Sequence, residues 1–212
     1  VYSGTGTIVD RCHVSVRSES GEPVLLETDH ILIATGSVPA CPLIPGADLP
    51  GVVTSDGLLD KQDMFGHLII IGGGVIGMEF ASIYSSLGHP VTVIEALDRI
   101  LPGMDKEIAQ NLKMILKKRG TDIHTGARVE EILRAEDGRG LACRFVEKDK
   151  AWEVTADGIL IATGRRAYTG GLISEESSQD IKDMAMERGR IVTDGNHETS
   201  VPGIYAIGDV AG

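Results

Sequence analysis

The sequence is poor in cysteine, in positive charge and in long apolar runs, and each shortage removes a class of function. Three cysteines occur, Cys12, Cys41 and Cys143, scattered and odd in number. None stands at C-x-x-C or any other redox or zinc-ligating spacing, so they are expected to be small buried hydrophobes. The six histidines never fall into an H-E-x-x-H pattern, and no metal site is expected. Lysine and arginine number 20 against 31 acidic residues, a formal charge of −11. A chain of that sign has no bulk attraction to nucleic acid or to an anionic membrane, so any phosphate must be held locally by backbone. The longest apolar runs are strand-sized and end in glycine, far short of a membrane span. No initiator methionine and no secretory signal pattern opens the chain, and Val1 leads directly into strand-like sequence. The expectation is an internal segment of a longer cytoplasmic protein.

What is present starts with size and apolar content. A chain of 212 residues, 42% of them hydrophobic, can bury a sizeable core in one or two domains. The most informative stretch is Leu68 to Glu95, which reads as a complete nucleotide-binding βαβ unit. An apolar strand, Leu68 to Ile71, runs into Gly72, Gly74 and Gly77 at G-x-G-x-x-G spacing, and a helix and a second strand, Val91 to Ile94, follow. The first glycine permits a tight turn, the second lets backbone approach a pyrophosphate, and the third lets helix pack closely on strand. The helix start then offers unpaired N–H groups to phosphate, making Gly72, Gly73, Gly74, Val75, Ile76 and Gly77 the candidate cradle. The second strand ends at Glu95, 18 residues past Gly77, where a carboxylate can accept hydrogen bonds from a ribose and would repel a 2′-phosphate. That favours NAD over NADP, although Arg99 lies close by in sequence.

An internal repeat organises the rest. Asp29 to Gly36 reads DHILIATG and Asp157 to Gly164 reads DGILIATG, identical at seven of eight positions. Each copy is an apolar strand ending in small residues, and each follows alternating stretches that read as antiparallel hairpins. Before the first copy these are Gly6 to Val16, a turn near Glu19 to Glu22, and Val24 to Thr28. Before the second they are Arg128 to Leu133, a turn at Asp137 to Gly140, Ala142 to Val146 and Trp152 to Thr155. Two helices flank the glycine-rich strand pair. The first is expected from near Gly74, with Ile76, Phe80, Ile83 and Leu87 on its buried face and Gly88 as its cap. The second is entered through Asp105 as N-cap, buries Ile108, Leu112, Ile115 and Leu116, and stops at Gly120. Lys117, Lys118 and Arg119 complement its dipole. Gly171 to Arg188 reads as a polar connection with one helical turn.

Four segments together resemble the pyridine nucleotide-disulfide oxidoreductases, and within them the dihydrolipoamide dehydrogenases. They are GGGVIGMEFA from Gly72, EALDRILPGMD from Glu95, ATGRR from Ala162 and TSVPGIYAIGD from Thr199. The resemblance implies that Asp209 accepts hydrogen bonds from the ribityl side of FAD, that Thr35 and Gly36 of the first ATG line FAD, and that Gly164 and Val129 border NAD. It also implies that Glu79 reaches the contact between nicotinamide and flavin and pairs with a lysine there; read alone, Glu79 is a first-turn carboxylate favoured by the helix dipole. The whole protein would pass electrons from dihydrolipoamide, carried on 2-oxo acid dehydrogenase complexes, through a redox disulfide and FAD to NAD. Sister enzymes such as an NADH oxidase or a mercuric or glutathione reductase share this layout, and a non-catalytic nucleotide-binding module is the reading from a different class. The family's N-terminal glycine-rich unit, its redox cysteine pair and its C-terminal dimer domain have no counterpart in these residues, so no catalytic residue is assigned and the segment alone is not expected to turn over substrate. At Arg165 to Thr169, RRAYT departs from the family's R-x-P-N-T.

The expected fold is therefore α/β: a Rossmann-like three-layer NAD-binding domain, parallel sheet plus antiparallel β-meander, at 43–168. Partial FAD-domain segments at 1–42 and 169–212 flank it. Strands Ile31 to Thr35 and Ile204 to Ile207 are expected to pair with each other, with a second copy of the chain as a homodimer, or not to order. Because Thr35, Gly36 and Asp209 make only part of a flavin site, the purified chain is expected to be colourless; an absorbance spectrum with stoichiometric flavin bands would contradict that.

Overall fold

The runs LIII at Leu68–Ile71, VTVIE at Val91–Glu95 and GILI at Gly158–Ile161 carry no polar face, so strands made from them must be covered on both sides. In the computed structural model, which describes residues 1–18, 21–136 and 138–212, all three are fully buried. The chain divides into two compact units, 39–164 and the pair 1–38 with 165–212.

In unit 39–164 five parallel strands lie in the order Val52–Thr54, Gly158–Ile161, Leu68–Ile71, Val91–Glu95 and Asp122–Thr125. Successive side chains leave opposite faces of a strand. Leu68 and Ile70 accordingly pack toward Met78, Ala81, Tyr84 and Leu116 of the helices, while Ile69 and Ile71 pack toward Ile132, Leu141, Cys143 and Phe145. Those last four belong to an antiparallel meander of Ala127–Arg134, Leu141–Glu147 and Lys150–Ala156. Helices, parallel sheet and meander thus form the three layers expected from the sequence.

The first helix, Val75–Ser86, begins beyond Gly74 and is followed by Gly88 at φ +85°. Its buried face is not the expected one. Gly77, Met78, Ala81 and Tyr84 face the sheet, Ile76 and Phe80 are half-buried, and Ile83 and Leu87 are 50% and 62% exposed. The reason is Gly77, where a Cβ would overlap the Gly72 carbonyl and crowd Ile70. The helix must approach its strand along the line of its smallest side chains, and that line runs through Gly77 and Ala81.

The second helix, Lys106–Lys118, is capped as expected: the Asp105 carboxylate accepts from the N–H groups of Glu107 at 2.8 Å and Ile108 at 3.3 Å. Here too the buried line shifts, to Ala109 and Leu116, leaving Ile108 and Ile115 exposed and Leu112 half-buried.

The other unit opens with an antiparallel sheet of Thr5–Asp10, His13–Arg17 and Val24–Glu27. Ile31–Ile33 and Ile204–Ala206 pair with each other in parallel, the first of the three outcomes allowed for them. Ile8, Ile31, Ile33, Ile181, Ile204 and Val210 make its core. The polar connection holds one turn of helix, Gln179–Lys182, and the buried Ser177 hydroxyl ties it down by donating to the Ile8 carbonyl at 2.6 Å. The expected turn near Glu19 lies partly outside the described residues, as does Asp137 of the turn before Gly140. Among the described residues no helix is long and apolar enough to cross a membrane, and no group of three or more His, Cys, Asp or Glu side chains could hold a metal.

The cysteines correct the expectation of three buried hydrophobes. Only Cys143 is buried, and burial pushes its thiol up to about 12; Cys12 and Cys41 are exposed. A thiol-specific reagent should therefore titrate two groups in the native chain and a third only in denaturant. Replacing Gly77 by alanine should gain about 1 kcal/mol in helix propensity but lose roughly 3 kcal/mol to backbone overlap. Calorimetry should show a lower Tm, and an unchanged Tm would mean that the close approach is not required.

Candidate functional site

In an open parallel sheet, ligands sit outside the carboxyl ends of the strands where the strand order reverses. That point lies between Gly158–Ile161 and Leu68–Ile71, which are neighbours in the sheet although their chain connections run in opposite directions. Gly72 leaves the end of its strand at φ +114°, with its N–H on the Ile94 carbonyl at 2.9 Å, and a Cβ at this position would run into the Ala162 backbone. Gly74 is the N-cap of the Val75–Ser86 helix, which has no side-chain cap. A Cβ built on Gly74 would find no atom within 4 Å, so the backbone there stands open to an approaching group. The amides of Val75, Ile76 and Gly77 form the helix's first turn at the same place, where the dipole favours an anion.

Glu95 closes the loop from the next strand. The residue is 8% exposed, and its carboxylate accepts from Gly73 N–H at 2.5 Å through Oε2 and from Leu97 N–H at 2.7 Å through Oε1. An ionised carboxylate has about four lone-pair sites, so two remain for a further donor pair such as a ribose diol. Leu101 N–H donates to the Gly73 carbonyl at 2.8 Å, tying the segment after Glu95 to the glycine loop as well. The Glu95–Gly73 bond was not foreseen in the sequence, although the length of a glutamate at a strand tip beside a glycine turn is its signal. Arg99, which lies close to Glu95 in sequence, donates from Nη2 to the Pro102 carbonyl at 2.5 Å.

The remaining candidates of this unit fall as follows. Gly164, at φ +144°, lies just past the end of the Gly158–Ile161 strand, and its carbonyl accepts from Ala40 N–H at 2.9 Å. Val129 is half-buried on the first meander strand, where the register shifts between it and Glu131. Glu79 is exposed on the first helix.

In the other unit, Thr35 is exposed and donates from Oγ1 to the Tyr168 carbonyl at 2.6 Å, and Gly36, at φ +70°, accepts from Tyr168 N–H at 2.9 Å. Asp209 is exposed in a short turn of helix, Gly208–Val210, and accepts from Ser37 Oγ at 2.6 Å. Arg165 in turn donates to Ser37, from Nε to Oγ at 2.7 Å and from Nη2 to the carbonyl at 2.7 Å. Ser37 and Arg165 immediately follow the two repeat copies, so the residues at equivalent places in the repeat bond to each other and aim Asp209. Sequence reading passed over Ser37; its place directly after the first ATG was the available signal.

Comparison with known proteins gives the family and the fold. The family model described as pyridine nucleotide-disulphide oxidoreductase matches residues 1–212. A dihydrolipoamide dehydrogenase of Chaetomium thermophilum is 38% identical over 209 residues, 97% of this chain and 40% of the relative. The probable pyridine nucleotide-disulfide oxidoreductase RclA of Escherichia coli K12 is 36% identical over 213 residues, 100% of this chain and 46% of the relative. The solved structure of the HOCl-induced flavoprotein disulfide reductase RclA from Escherichia coli superposes with a TM-score of 0.84 at 33% identity, covering 99% of this chain and 45% of that one. The chain spans about half the length of the curated relatives it matches. A glycine loop, a strand-tip glutamate and a three-layer unit in one chain, with a family match along its whole length, lead to one conclusion: the chain belongs to the pyridine nucleotide-disulphide oxidoreductase family.

Proposed function

We propose that this chain carries the NAD-binding domain, at 43–168, of a flavoprotein that oxidises dihydrolipoamide, with FAD-domain segments at 1–42 and 169–212. The observation that carries the reading is Glu95, held against the glycine loop with two acceptor sites left over. The cradle of Gly72, Gly73, Gly74, Val75, Ile76 and Gly77 holds the pyrophosphate through backbone amides at the uncapped helix start. Glu95 takes the adenosine ribose, Val129 and Gly164 border the dinucleotide, and Glu79 reaches toward the nicotinamide. Fixed in place by two amides, the Glu95 carboxylate also repels a 2′-phosphate, which selects NAD over NADP.

Thr35, Gly36 and Asp209 serve FAD in the whole protein. Asp209 suits a ribityl hydroxyl because Ser37 occupies one of its oxygens and leaves the other to accept. Bound FAD and NAD supply the electron transfer, while this chain's residues position and tune them. Dihydrolipoamide on 2-oxo acid dehydrogenase complexes is the electron donor of this reading, supported by the dihydrolipoamide dehydrogenase relative. The chain's three free thiols suit the reducing cytoplasm. The outer edge of Ile31–Ile33 suits association with a second copy, whereas the far side of its partner Ile204–Ala206 is already paired by backbone bonds with residues 197–199. A second reading, a disulfide reductase of the RclA kind, is favoured by the RclA relative of similar identity and by the solved RclA structure.

Titration calorimetry on the chain tests the cofactor assignment. Glu95→Arg should weaken NAD on the order of 10- to 100-fold, the worth of hydrogen bonds to a charged acceptor, and should improve NADP. Unchanged affinities for both would remove the ribose from Glu95.

A further inference from the structure

Beyond the dinucleotide crevice, the same unit holds a cavity of roughly 630 Å³, within the size range of small-molecule sites. It opens between the segment after Glu95 and the first turns of the Lys106–Lys118 helix, and neither the glycine loop nor Glu95 lines it. Its apolar base is Ile100 and Ala109, both buried, and Arg99, Lys106 and Lys113 stand around it. In a chain of net charge −11, three cations around one concavity run against the overall field.

Two of those cations are held at electrostatic cost. Lys106 occupies the first helical position, where the dipole disfavours positive charge. The Lys113 ammonium titrates below the usual lysine range because burial and then Lys117 and Lys148 disfavour its charge, with Glu147 pulling the other way. A bound anion would relieve both. The rest of the wall is of another kind: Asp98, Glu107, Gln110 and Asn111. Carboxylates and amides in that density accept from and donate to hydroxyl groups, and they penalise an anion that brings none.

We propose that this cavity binds a phosphorylated polyol of hexose phosphate size. The cations take the phosphate, Asp98, Glu107, Gln110 and Asn111 take the hydroxyls, and Ile100 with Ala109 supports the apolar face of the sugar ring. The segment that forms one wall is bonded just beyond the cavity through Leu101 N–H to the Gly73 carbonyl, so that wall is anchored to the glycine loop although the loop does not line the cavity.

The test is a titration of the isotope-labelled chain by nuclear magnetic resonance with glucose 6-phosphate, glucose and inorganic phosphate in turn. Glucose 6-phosphate should saturate at or below about 1 mM, shifting residues 98–113, and neither half alone should match it. Lys113→Met and Lys106→Met should each weaken it about tenfold, roughly the 1.4 kcal/mol of one charge-assisted contact. Gly74→Val, which obstructs the glycine loop, should leave it unchanged. No saturation by about 10 mM, equal binding of inorganic phosphate alone, or shifts confined to the glycine loop would each overturn the proposal. Because the cavity and the crevice share no lining residue, loss of NAD binding alone would count against the dinucleotide reading and not against this one.

Discussion

The close approach of the Val75–Ser86 helix to the Leu68–Ile71 strand, made possible at Gly77, governs much of what unit 39–164 can do. A side chain at that position would overlap the Gly72 carbonyl. With the helix seated this close, its first-turn amides lie at the carboxyl end of the sheet rather than a layer above it, and a helix start so placed is a ready anion site. The same contact decides which residues are buried. Ala81 and Tyr84 follow Gly77 into the core, and the broader stripe of Ile83 and Leu87 is turned outward.

Glu95 completes the loop from the neighbouring strand, and under the proposed function that one residue serves structure and recognition together. A buried carboxylate is tolerated only when hydrogen-bonded, and here two backbone N–H groups meet that need. Those same bonds fix the direction of its remaining lone pairs. In the proposed reading, local backbone rather than overall charge is therefore what this acidic chain sets against a dinucleotide. The cavity under the Lys106–Lys118 helix follows the opposite principle, with side-chain cations gathered against the overall field.

The repeated octapeptide shows how far identical sequence can diverge in setting. In DGILIATG the Gly158–Ile161 strand is an interior strand of a five-stranded sheet, and Leu160 is wholly buried. In DHILIATG the Ile31–Ile33 strand has Ile204–Ala206 as its one parallel partner, and Leu32 is 58% exposed. Local propensity makes both segments strands; the neighbours available to each set its burial. The residues after the two copies, Ser37 and Arg165, then bond to each other and orient Asp209.

By itself the sequence determined the features whose causes lie within a few residues. The Asp105 cap, the glycine that follows each of the two long helices, the G-x-G-x-x-G turn and the period-two meander strands all depend on local backbone chemistry, and so the α/β class and its three layers were legible. Tertiary structure alone decided which helix face is buried, which cysteine is inert, where the Glu95 carboxylate points and that Ser37 steers Asp209. Each of these depends on atoms brought in from distant parts of the chain, such as the Gly73 amide 22 residues before Glu95 or the Arg165 guanidinium 128 residues after Ser37. Periodicity can state that a helix has an apolar side. Only the packed neighbour, here a strand that admits nothing larger than glycine at one point, selects which side that is.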